Sequence, residues 1–548
     1  MNDDGQICHG KIMKVQSFLI ALATSLLLVV AVAILPGAGL ANTDPINVEN
    51  AKFNLPNTAK FFPKEAALTF HWAIDSEKKA NHFESITNSG TSKDSLKPFK
   101  YLRNGLFALA GLDFENELSE WLDSELSFAL FKLNEAEKNY SWVITITSSE
   151  ENIATKFLER FWLKASLEGE DVRINNYRGI SWIKSDDSNS THKNRLATAL
   201  INNNLILIAS NEKALKNSLE ISQFDYQNQS GDKYLKDTIK KLSNGSALIT
   251  LSPNALNSLL ELPKEITEEE SFGGFIALLK QTQNSLILDG VFKFEEPLQE
   301  AKKRTKELDL SLLNASKGPA EGLGILYSPH ELINEVNKSP FNEWIARLIS
   351  KELEKTKGIA LKEVARLSEE TLLLIKEPKG LVLGTTNTSP SIAKIGEILQ
   401  QDDQSKSSLS IDNQEFKVWS KLITTKVNNY ANIDTDFGVI LSKESDNNWW
   451  GENLAALQQR QQEQGLQFRE KQLEELNANY KNHPSLQLAL NSKYAKDVFS
   501  NWTPWQILNS IAGGSLKNVI KGLAFSLDPD WGQSDSSINL RASIQITS

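Results

Sequence analysis

The sequence predicts an α+β fold of two tandem, pseudo-repeated lobes, each an antiparallel sheet packed with helices, after one N-terminal transmembrane or signal helix. Three features of the 548-residue chain support this prediction: an apolar run near the N-terminus, a similarity between the two halves, and strands that alternate with amphipathic helices in each half. Neighbouring strands joined by tight turns form antiparallel sheets, and helices placed between them give the α+β class.

The first element is an almost unbroken apolar run from Phe18 to Leu35. Eighteen apolar residues are enough to cross a bilayer as a helix. Lys11 and Lys14 precede the run, and Asp44 and Glu49 follow it. Because positive charge stays on the cytoplasmic side, this asymmetry predicts a cytoplasmic N-terminus and a translocated remainder.

The apolar run has two interpretations, an uncleaved signal anchor and a cleaved signal peptide. We favour the anchor slightly, since the apolar core of a signal peptide is shorter, roughly 7–15 residues. Gly39 and Ala41 are the small residues that a peptidase needs, so cleavage after Ala41 stays open, as does a start at Met13. In either case residues 1–42 form a cytoplasmic stub with the anchor or signal peptide.

The second half of the chain resembles the first at a nearly constant spacing. Two groups of residues recur at an offset of 239 positions: Val143, Thr147, Ile153, Ala154, Leu215, Leu251, Leu288 and Asp289, matched by Val382, Thr386, Ile392, Ala393, Leu454, Leu490, Leu527 and Asp528. A constant offset over more than a hundred residues is typical of a duplicated domain. The sequence therefore predicts repeat domains at residues 43–300 and 301–548.

Within each half, strand and helix signals follow in order. The β-branched run from Trp142 to Thr147 predicts a strand. Ser148 to Glu151 has a capping-box pattern, and Ser389-Pro390 has the pattern of an N-cap followed by proline, so each predicts the start of the next helix. Asn202-Asn203-Asn204 between two apolar runs predicts a hairpin, followed by a helix to about Ile221.

The later elements follow the same logic. Asp289-Gly290 lies within the apolar stretch Leu286–Phe294, and an Asp-Gly pair is a strong signal for a hairpin turn. In the second half this turn is expected to be longer, over Asp528–Asp535. The polar stretch Gln458–Tyr480 predicts a surface helix with one packed stripe, and a partner-binding helix is the alternative.

Composition and charge exclude several classes of protein. Hydrophobic residues make up 40% of the chain and include 24 Phe and 12 Trp, so it has enough apolar side chains for a core. The net charge of −10 argues against nucleic acid as a partner, because phosphate binding needs a basic face. Cys8 is the only cysteine and lies before the apolar run, so disulfides and thiolate metal sites are excluded from the translocated part.

The sequence contains no complete catalytic or metal-binding motif. It has no phosphate-binding glycine loop, no nucleophile elbow and no histidine pair at metal-ligand spacing. We therefore expect no cofactor, no metal and no catalytic residue. A dispersed Ser-His-Asp site stays an alternative, because such triads are geometric, and His71, His192 and His330 are the histidines to test.

Clustered tryptophans are the remaining candidate site. Trp449-Trp450 and Trp502-Thr-Pro-Trp505 are two close groups. Such groups can anchor at a membrane surface or line an apolar groove. The competing interpretation is core filling between sheet and helix, which is the more frequent role of buried aromatic residues.

Three segments carry a resemblance to a known family: Leu55–Pro63, Gly111–Leu130 and the hairpin Leu200–Ala209. Together they resemble a cyanobacterial family of uncharacterised, membrane-anchored extracytoplasmic proteins, defined by a domain of unknown function. The sequence departs from the family pattern at Asp123, where a glycine is expected in a turn. The resemblance implies no activity or cofactor. It implies a single-pass protein of the plasma or thylakoid membrane, with its bulk in the periplasm or lumen.

We therefore expect a membrane-tethered extracytoplasmic binding or assembly protein without catalytic activity. Its expected partners are the membrane, through residues 18–40, and membrane proteins or lipid. Two alternatives stay open: a carrier of lipids or other amphiphiles, which needs an apolar cavity, and a hydrolase with a dispersed catalytic site, which needs a histidine with a hydroxyl partner.

Overall fold

A computed structural model confirms an α+β fold with a large antiparallel sheet and several helices. The structure describes residues 53–73, 97–109, 112–118, 122–133, 140–148, 150–186, 196–242, 244–260, 272–281, 285–294, 310–327, 329–334, 346, 349–350, 353, 360–427, 430–462, 465–477, 484, 486–500, 503–514, 516–529 and 537–546. The predicted membrane segment at 18–40 lies outside these residues. No helix in the described ranges is long and apolar enough to span a bilayer.

The chain divides into two units that are not continuous in sequence. The N-terminal unit contains the described residues of Ala23–Lys303, Ile507–Lys521 and Leu527–Ser548. The C-terminal unit contains those of Arg304–Gln506 and Gly522–Ser526. The division into repeat domains at residue 300 stays a prediction.

The strands of the N-terminal unit form an antiparallel sheet. They are β1 (Leu68–Ala73), β2 (Leu122–Phe131), β3 (Ser141–Ser148), β4 (Asp171–Tyr177), β5 (Ile180–Asp186), β6 (Ala197–Ile201), β7 (Leu205–Ala209), β8 (Ala247–Leu251), β9 (Phe272–Gln281), β10 (Ser285–Phe294) and, from the far end of the chain, β20 (Ser537–Ile546). The order across the sheet is β4-β5-β6-β7-β3-β2-β1-β8-β9-β10-β20.

The strands of the C-terminal unit are also antiparallel. They are β11 (Gly322–Leu326), β12 (Leu372–Glu377), β13 (Gly380–Thr386), β14 (Ser405–Ile411), β15 (Gln414–Val427), β16 (Tyr430–Glu444), β17 (Asn447–Gly451) and β18 (Leu486–Asn491). A further strand, β19 (Ile520–Pro529), contributes Gly522–Ser526 to this unit, and its two ends belong to the N-terminal unit. The order β14-β15-β16-β17-β13-β12-β11-β18 repeats, strand for strand, the order from β4 to β8 in the N-terminal unit.

Helices lie between the strands at matching places in the two units. They are α1 (Lys97–Leu109), α2 (Glu151–Leu167), α3 (Glu212–Ile221), α4 (Lys233–Lys241), α5 (Pro253–Leu260), α6 (Leu310–Asn314), α7 (Pro329–Asn334), α8 (Ala360–Leu367), α9 (Ile392–Gln401), α10 (Leu454–Arg460), α11 (Leu466–Asn477), α12 (Ser492–Ser500) and α13 (Thr503–Ile511). Short 3₁₀ turns at Asn57–Phe61, Asp225–Gln227, Gln229–Gly231 and Leu516–Asn518, and a π-helical turn at Phe114–Leu118, complete the described elements.

The core of the N-terminal unit lies where α3 and the Asn57–Phe61 turn cover the sheet. Phe61, Phe62 and Trp182 are among its buried residues, together with small side chains of β6 and β7. The predicted helix after Ser210 begins at Glu212, since the side chain of Asn211 accepts a hydrogen bond from the Ala214 amide at 2.9 Å.

The predicted hairpin at Asn202–Asn204 is confirmed, and the one at Asp289-Gly290 is wrong. Asn202 and Asn203 have φ angles of 49° and 61°, which are typical of the tight turns that join hairpin strands, and the loop between β6 and β7 has three residues. Asp289 and Gly290 instead lie inside β10, which pairs on one side with β9 and on the other with β20. A Cβ at Gly290 would lie 2.5 Å from the Phe275 ring, so the glycine serves close packing.

Two predicted helix starts also differ from the structure. The side chain of Ser148 bonds locally to the backbone of Glu150, and α2 begins at Glu151 without a side-chain cap. The cap of α9 is Ser391, two residues after the predicted Ser389. The polar stretch from 458 is divided between α10 and α11 at Gly465, whose φ is +95°. Leu466 and Leu473 of α11 are buried, as expected for one packed stripe.

Candidate functional site

The candidate tryptophans are buried wherever the structure describes their side chains. Trp449 and Trp450 lie on β17 and are fully buried, and Trp505 on α13 is 4% exposed. Solvent does not reach these three rings, as expected for core filling, and a role of the tryptophans at an apolar surface or groove stays a prediction. Trp502 lies outside the described residues, so its role stays a prediction.

Trp449 and Trp450 take part in two different interior contacts. The Trp450 ring stacks on Trp419 at a centroid distance of 6.0 Å, and its indole nitrogen donates to Thr385 Oγ1 at 3.2 Å. The Arg460 guanidinium lies over the Trp449 ring, 3.9 Å from its centre. A desolvated cation over a tryptophan ring is among the stronger cation–π arrangements.

Arg460 is a fully buried cation held by both charge and hydrogen bonds. It donates to the Ala315 carbonyl at 2.6 Å and to Glu444 Oε1 at 2.5 Å. Its backbone carbonyl accepts from the amides of Lys317 and Gly318. Burial lowers the pKa of the guanidinium, and Glu444 counteracts this effect. Through these hydrogen bonds, Arg460 connects α10 to the loop at residues 315–318.

Glu377, at the end of β12, is the most unusual group beside this arginine. Its side chain is fully buried, and neither carboxyl oxygen has a hydrogen-bond partner among the described residues. Gly318 faces it so closely that a Cβ there would overlap its carboxyl oxygen. Burial raises the pKa of Glu377 to about 7, with a further increase from Glu321 and a partly compensating decrease from Arg460.

Among the described side chains of the cluster around Arg460 and Glu377, Glu377 is the group whose pKa lies near neutral pH. Arg460 is already paired with Glu444, and Glu321 accepts from Lys493 Nζ at 3.0 Å. The chemical change open to Glu377 is protonation near neutral pH. No group of three or more His, Cys, Asp or Glu in the described ranges is arranged to hold a metal ion.

The hydrolase alternative needs a histidine with a hydroxyl partner. His71, on β1 in the N-terminal unit, is a histidine with such a partner. His71 Nδ1 is 3.0 Å from Ser127 Oγ on β2, and His71 Nε2 is 2.8 Å from Gln229 Oε1. Because an amide oxygen only accepts, Nε2 carries the proton and Nδ1 accepts from the serine hydroxyl. Gln229 in turn donates to Thr69 and Thr250.

This histidine network has a serine but no carboxylate and no exposure to solvent. His71 and Ser127 are fully buried, and Gln229 is 2% exposed. Burial lowers the pKa of His71 to about 4, so the ring is a weak base at neutral pH. His330 donates its backbone amide to the Ser368 carbonyl, and His192 lies outside the described residues. The hydrolase alternative stays untested.

The corresponding strands of the C-terminal unit replace the network with apolar side chains. When β8 is matched to β18 and β1 to β11, the register places Ile325 where His71 lies, Leu373 where Ser127 lies and Ala489 where Thr250 lies. The same strand arrangement therefore forms without the polar network. The network is a particular feature of the N-terminal unit and not a requirement of this sheet.

The long hairpin of β15 and β16 carries an exposed apolar face. The register aligns Ser420 with Phe437, Leu422 with Thr435, and Thr424 with Ile433, and paired residues lie on the same side of an antiparallel ladder. We call these six residues the apolar ribbon face. Leu422 and Ile433 are each 74% exposed, and Phe437 is 46% exposed.

The opposite side of the same hairpin is charged. There Lys421 pairs with Asp436, and Ile423 pairs with Asp434. The ribbon is therefore amphipathic, and its charged side is half-buried at Lys421, Ile423 and Asp436. Exposed apolar groups that lie together on one side are typical of interaction surfaces. The alternation Ser420-Lys421-Leu422-Ile423-Thr424 is the sequence signal for this face, and the sequence reasoning missed it.

These features define an α+β protein with buried polar clusters and an exposed apolar ribbon. The chain belongs to the family DUF3352, a family of proteins of unknown function, which it matches over residues 20–544. No curated protein matches the chain. The domain of unknown function expected from the sequence is thus confirmed, while the cyanobacterial origin and the membrane anchor stay predictions.

Solved structures of the protein TP0453 are weakly similar to this chain. Crystal form III shares 8% identity at a TM-score of 0.26, covering 45% of this chain and 82% of TP0453. Crystal form I shares 9% identity at 0.25, covering 46% and 83%. Crystal form IV shares 12% identity at 0.23, covering 47% and 83%.

Proposed function

We propose that this chain is a membrane-tethered extracytoplasmic protein without catalytic activity, which binds a protein partner and helps to assemble it. The apolar run at 18–35 and the charges around it support the tether and its orientation. The apolar ribbon face supports the binding role and is the observation that carries it. The side chains of His71, Ser127 and Glu377 are fully buried, which supports a role of these clusters inside the fold.

The two units descend, in this proposal, from one duplicated domain at residues 43–300 and 301–548. The recurrence of the same eight-strand order supports the duplication. The extended hairpin of β15 and β16 is a difference between the two copies, because β5 and β6 at the same place are much shorter. An addition that differs between two copies of a fold is a natural place for a function that differs between them.

The composition of the apolar ribbon face favours a protein partner over a lipid surface. Its six residues are Ser, Thr, Leu, Ile and Phe, without a lysine or arginine among them. The centre of a protein interface is depleted of charge and contains aromatic side chains. Elements that lie in a membrane surface instead combine apolar groups with lysine or arginine. The expected partner therefore presents an uncharged, largely apolar patch.

Site-specific photo-crosslinking of the full chain in intact membranes tests this proposal. A photoreactive residue at Leu422 is on the apolar ribbon face, and one at Lys421 is the matched control on the opposite side. We expect one discrete protein adduct from Leu422 and Ile433, little from Lys421, and loss of the adduct when Phe437 is changed to Asp. Equal labelling from both sides, or lipid adducts alone, would overturn the proposal.

A further inference from the structure

In the part of the chain that the structure describes, the outer edge of β14 has no pairing strand along its whole length. β14 forms a ladder with β15 through all seven residues, Ser405 to Ile411, and no described strand pairs along its other side. Ser405 to Ser410 are exposed on both faces of the strand. An open edge presents unpaired amide and carbonyl groups, which form a template for a further strand.

The same edge in the N-terminal unit is protected, which makes the openness of β14 informative. Its counterpart β4 carries Asp171 and Arg173, whose side chains form an ion pair at 2.7 Å. Charges on an edge strand oppose addition of another strand. β14 has a single charge, Lys406, and it has no acidic residue, no proline and no bulge in its ladder with β15.

We propose that β14 pairs antiparallel with β14 of a second copy of this chain. The proposal concerns the edge of the ribbon and does not depend on the role of the apolar ribbon face. Full overlap of two seven-residue strands places the two-fold axis at Ser408. In that register Lys406 of each copy lies opposite Ser410 of the other, and Ser407 lies opposite Leu409.

The sequence of β14 is compatible with a second copy as the occupant of this edge, because the self-paired register places each Lys406 ammonium opposite a serine hydroxyl. The two lysines never face each other in the self-paired register, so pairing brings no like charges together. Paired residues of adjacent antiparallel strands lie on the same side of the sheet. The apolar ribbon faces of both copies would therefore lie on one side of the joined sheet, toward its two opposite ends.

The register predicts opposite effects of two substitutions at one position. Ser410→Asp places a carboxylate opposite Lys406 at both symmetric positions, so we expect roughly fivefold tighter association. Ser410→Lys places two pairs of like charges there, so we expect roughly fivefold weaker association. Asn176→Lys, at the matching edge position of β4, is the control and should leave association unchanged.

Sedimentation equilibrium of the full chain in detergent, over a range of protein concentrations, measures these effects. A monomer–dimer equilibrium that shifts in opposite directions with Asp and Lys at position 410 supports the pairing. A wild-type chain that is monomeric throughout, or a dimer indifferent to both substitutions, overturns it. Either result leaves the crosslinking at Leu422 unaffected, so failure of this inference and failure of the proposed function are distinguishable.

Discussion

Glu377 shows how one buried carboxyl affects stability. Its pKa is raised from 4.5 to about 7 by burial, so the folded chain binds more protons than the unfolded chain between these values. Stability therefore falls as pH rises through this range, by up to about 3 kcal/mol if the whole shift is expressed. The carboxyl group of Glu377 stabilises the C-terminal unit only while it is protonated.

Replacing Glu377 with glutamine tests this directly. Glu377→Gln keeps the shape and removes the charge, so we expect the variant to be about 1–3 kcal/mol more stable than wild type at pH 8 and to lose the pH dependence between 4.5 and 7. Urea unfolding at pH 5 and pH 8 measures both. Glu397→Gln, an exposed substitution on α9, is the matched control and should change neither value. A destabilised Glu377→Gln variant at pH 8 would contradict the assignment.

The surroundings of individual side chains were harder to predict from the sequence than the strands and helices that carry them. The sequence shows that Trp449 and Trp450 are adjacent. It does not distinguish a groove from a core, because both are lined by aromatic side chains. The burial of these two tryptophans depends on Arg460 and Trp419, whose positions are set by tertiary packing. The buried network of His71 could not be foreseen either, since Ser127 and Gln229 meet it across 56 and 158 residues.

Strands, helices and turns were predicted well where the local sequence determines them. They were predicted poorly where pairing with other strands determines them. The Asn202–Asn203 turn needs positive φ angles, and asparagine tolerates them, so the hairpin follows from the sequence. Asp289-Gly290 is a turn signal of similar strength, yet the strand continues through it. Pairing with β9 on one side and β20 on the other outweighs the local preference.

The close packing of β10 against Phe275 predicts that a side chain at Gly290 destabilises the fold. Gly290→Ala places a Cβ 2.5 Å from the Phe275 ring, so we expect a destabilisation of about 1–3 kcal/mol from overpacking. Gly324→Ala, within β11, is the matched control, because its Cβ would meet Leu374 at an ordinary contact distance of 3.4 Å. Thermal unfolding of both variants checks the difference. Equal losses would show that strand propensity and not packing sets the cost.

At the scale of the whole molecule, the two units should respond to pH in opposite directions. Burial lowers the pKa of His71 from 6.5 to about 4, so its contribution to stability is complete above pH 6.5 and is lost as pH falls toward 4. Glu377 acts in the other sense, since its neutral form is the more stable one. Acidification from pH 7 to pH 5 should therefore weaken the N-terminal unit and strengthen the C-terminal unit.

Amide hydrogen exchange measured at pH 7 and pH 5 reports on the stability of each unit separately. The rates are corrected for the pH dependence of intrinsic exchange. We expect the opening free energy to fall by about 1–2 kcal/mol for peptides from β1 and β2, and to rise by a similar amount for peptides from β11 and β12. In a His71→Ile variant the first change should disappear while the second is kept. A shift of both units in the same direction would contradict the assignment.

The pairing of β20 with β10 has a consequence for the order of folding. Strand β10 of the N-terminal unit pairs with a strand far along the chain: Lys293 lies opposite Ser537, 244 residues later, and Ser285 lies opposite Gln545, 260 residues later. During synthesis, one edge of β10 stays unpaired until the residues of β20 have emerged from the ribosome. Closing so long a loop is slow. The elements of the C-terminal unit within Arg304–Gln506 can therefore form while β10 still has one unpaired edge, and the N-terminal unit is completed only when β20 is available.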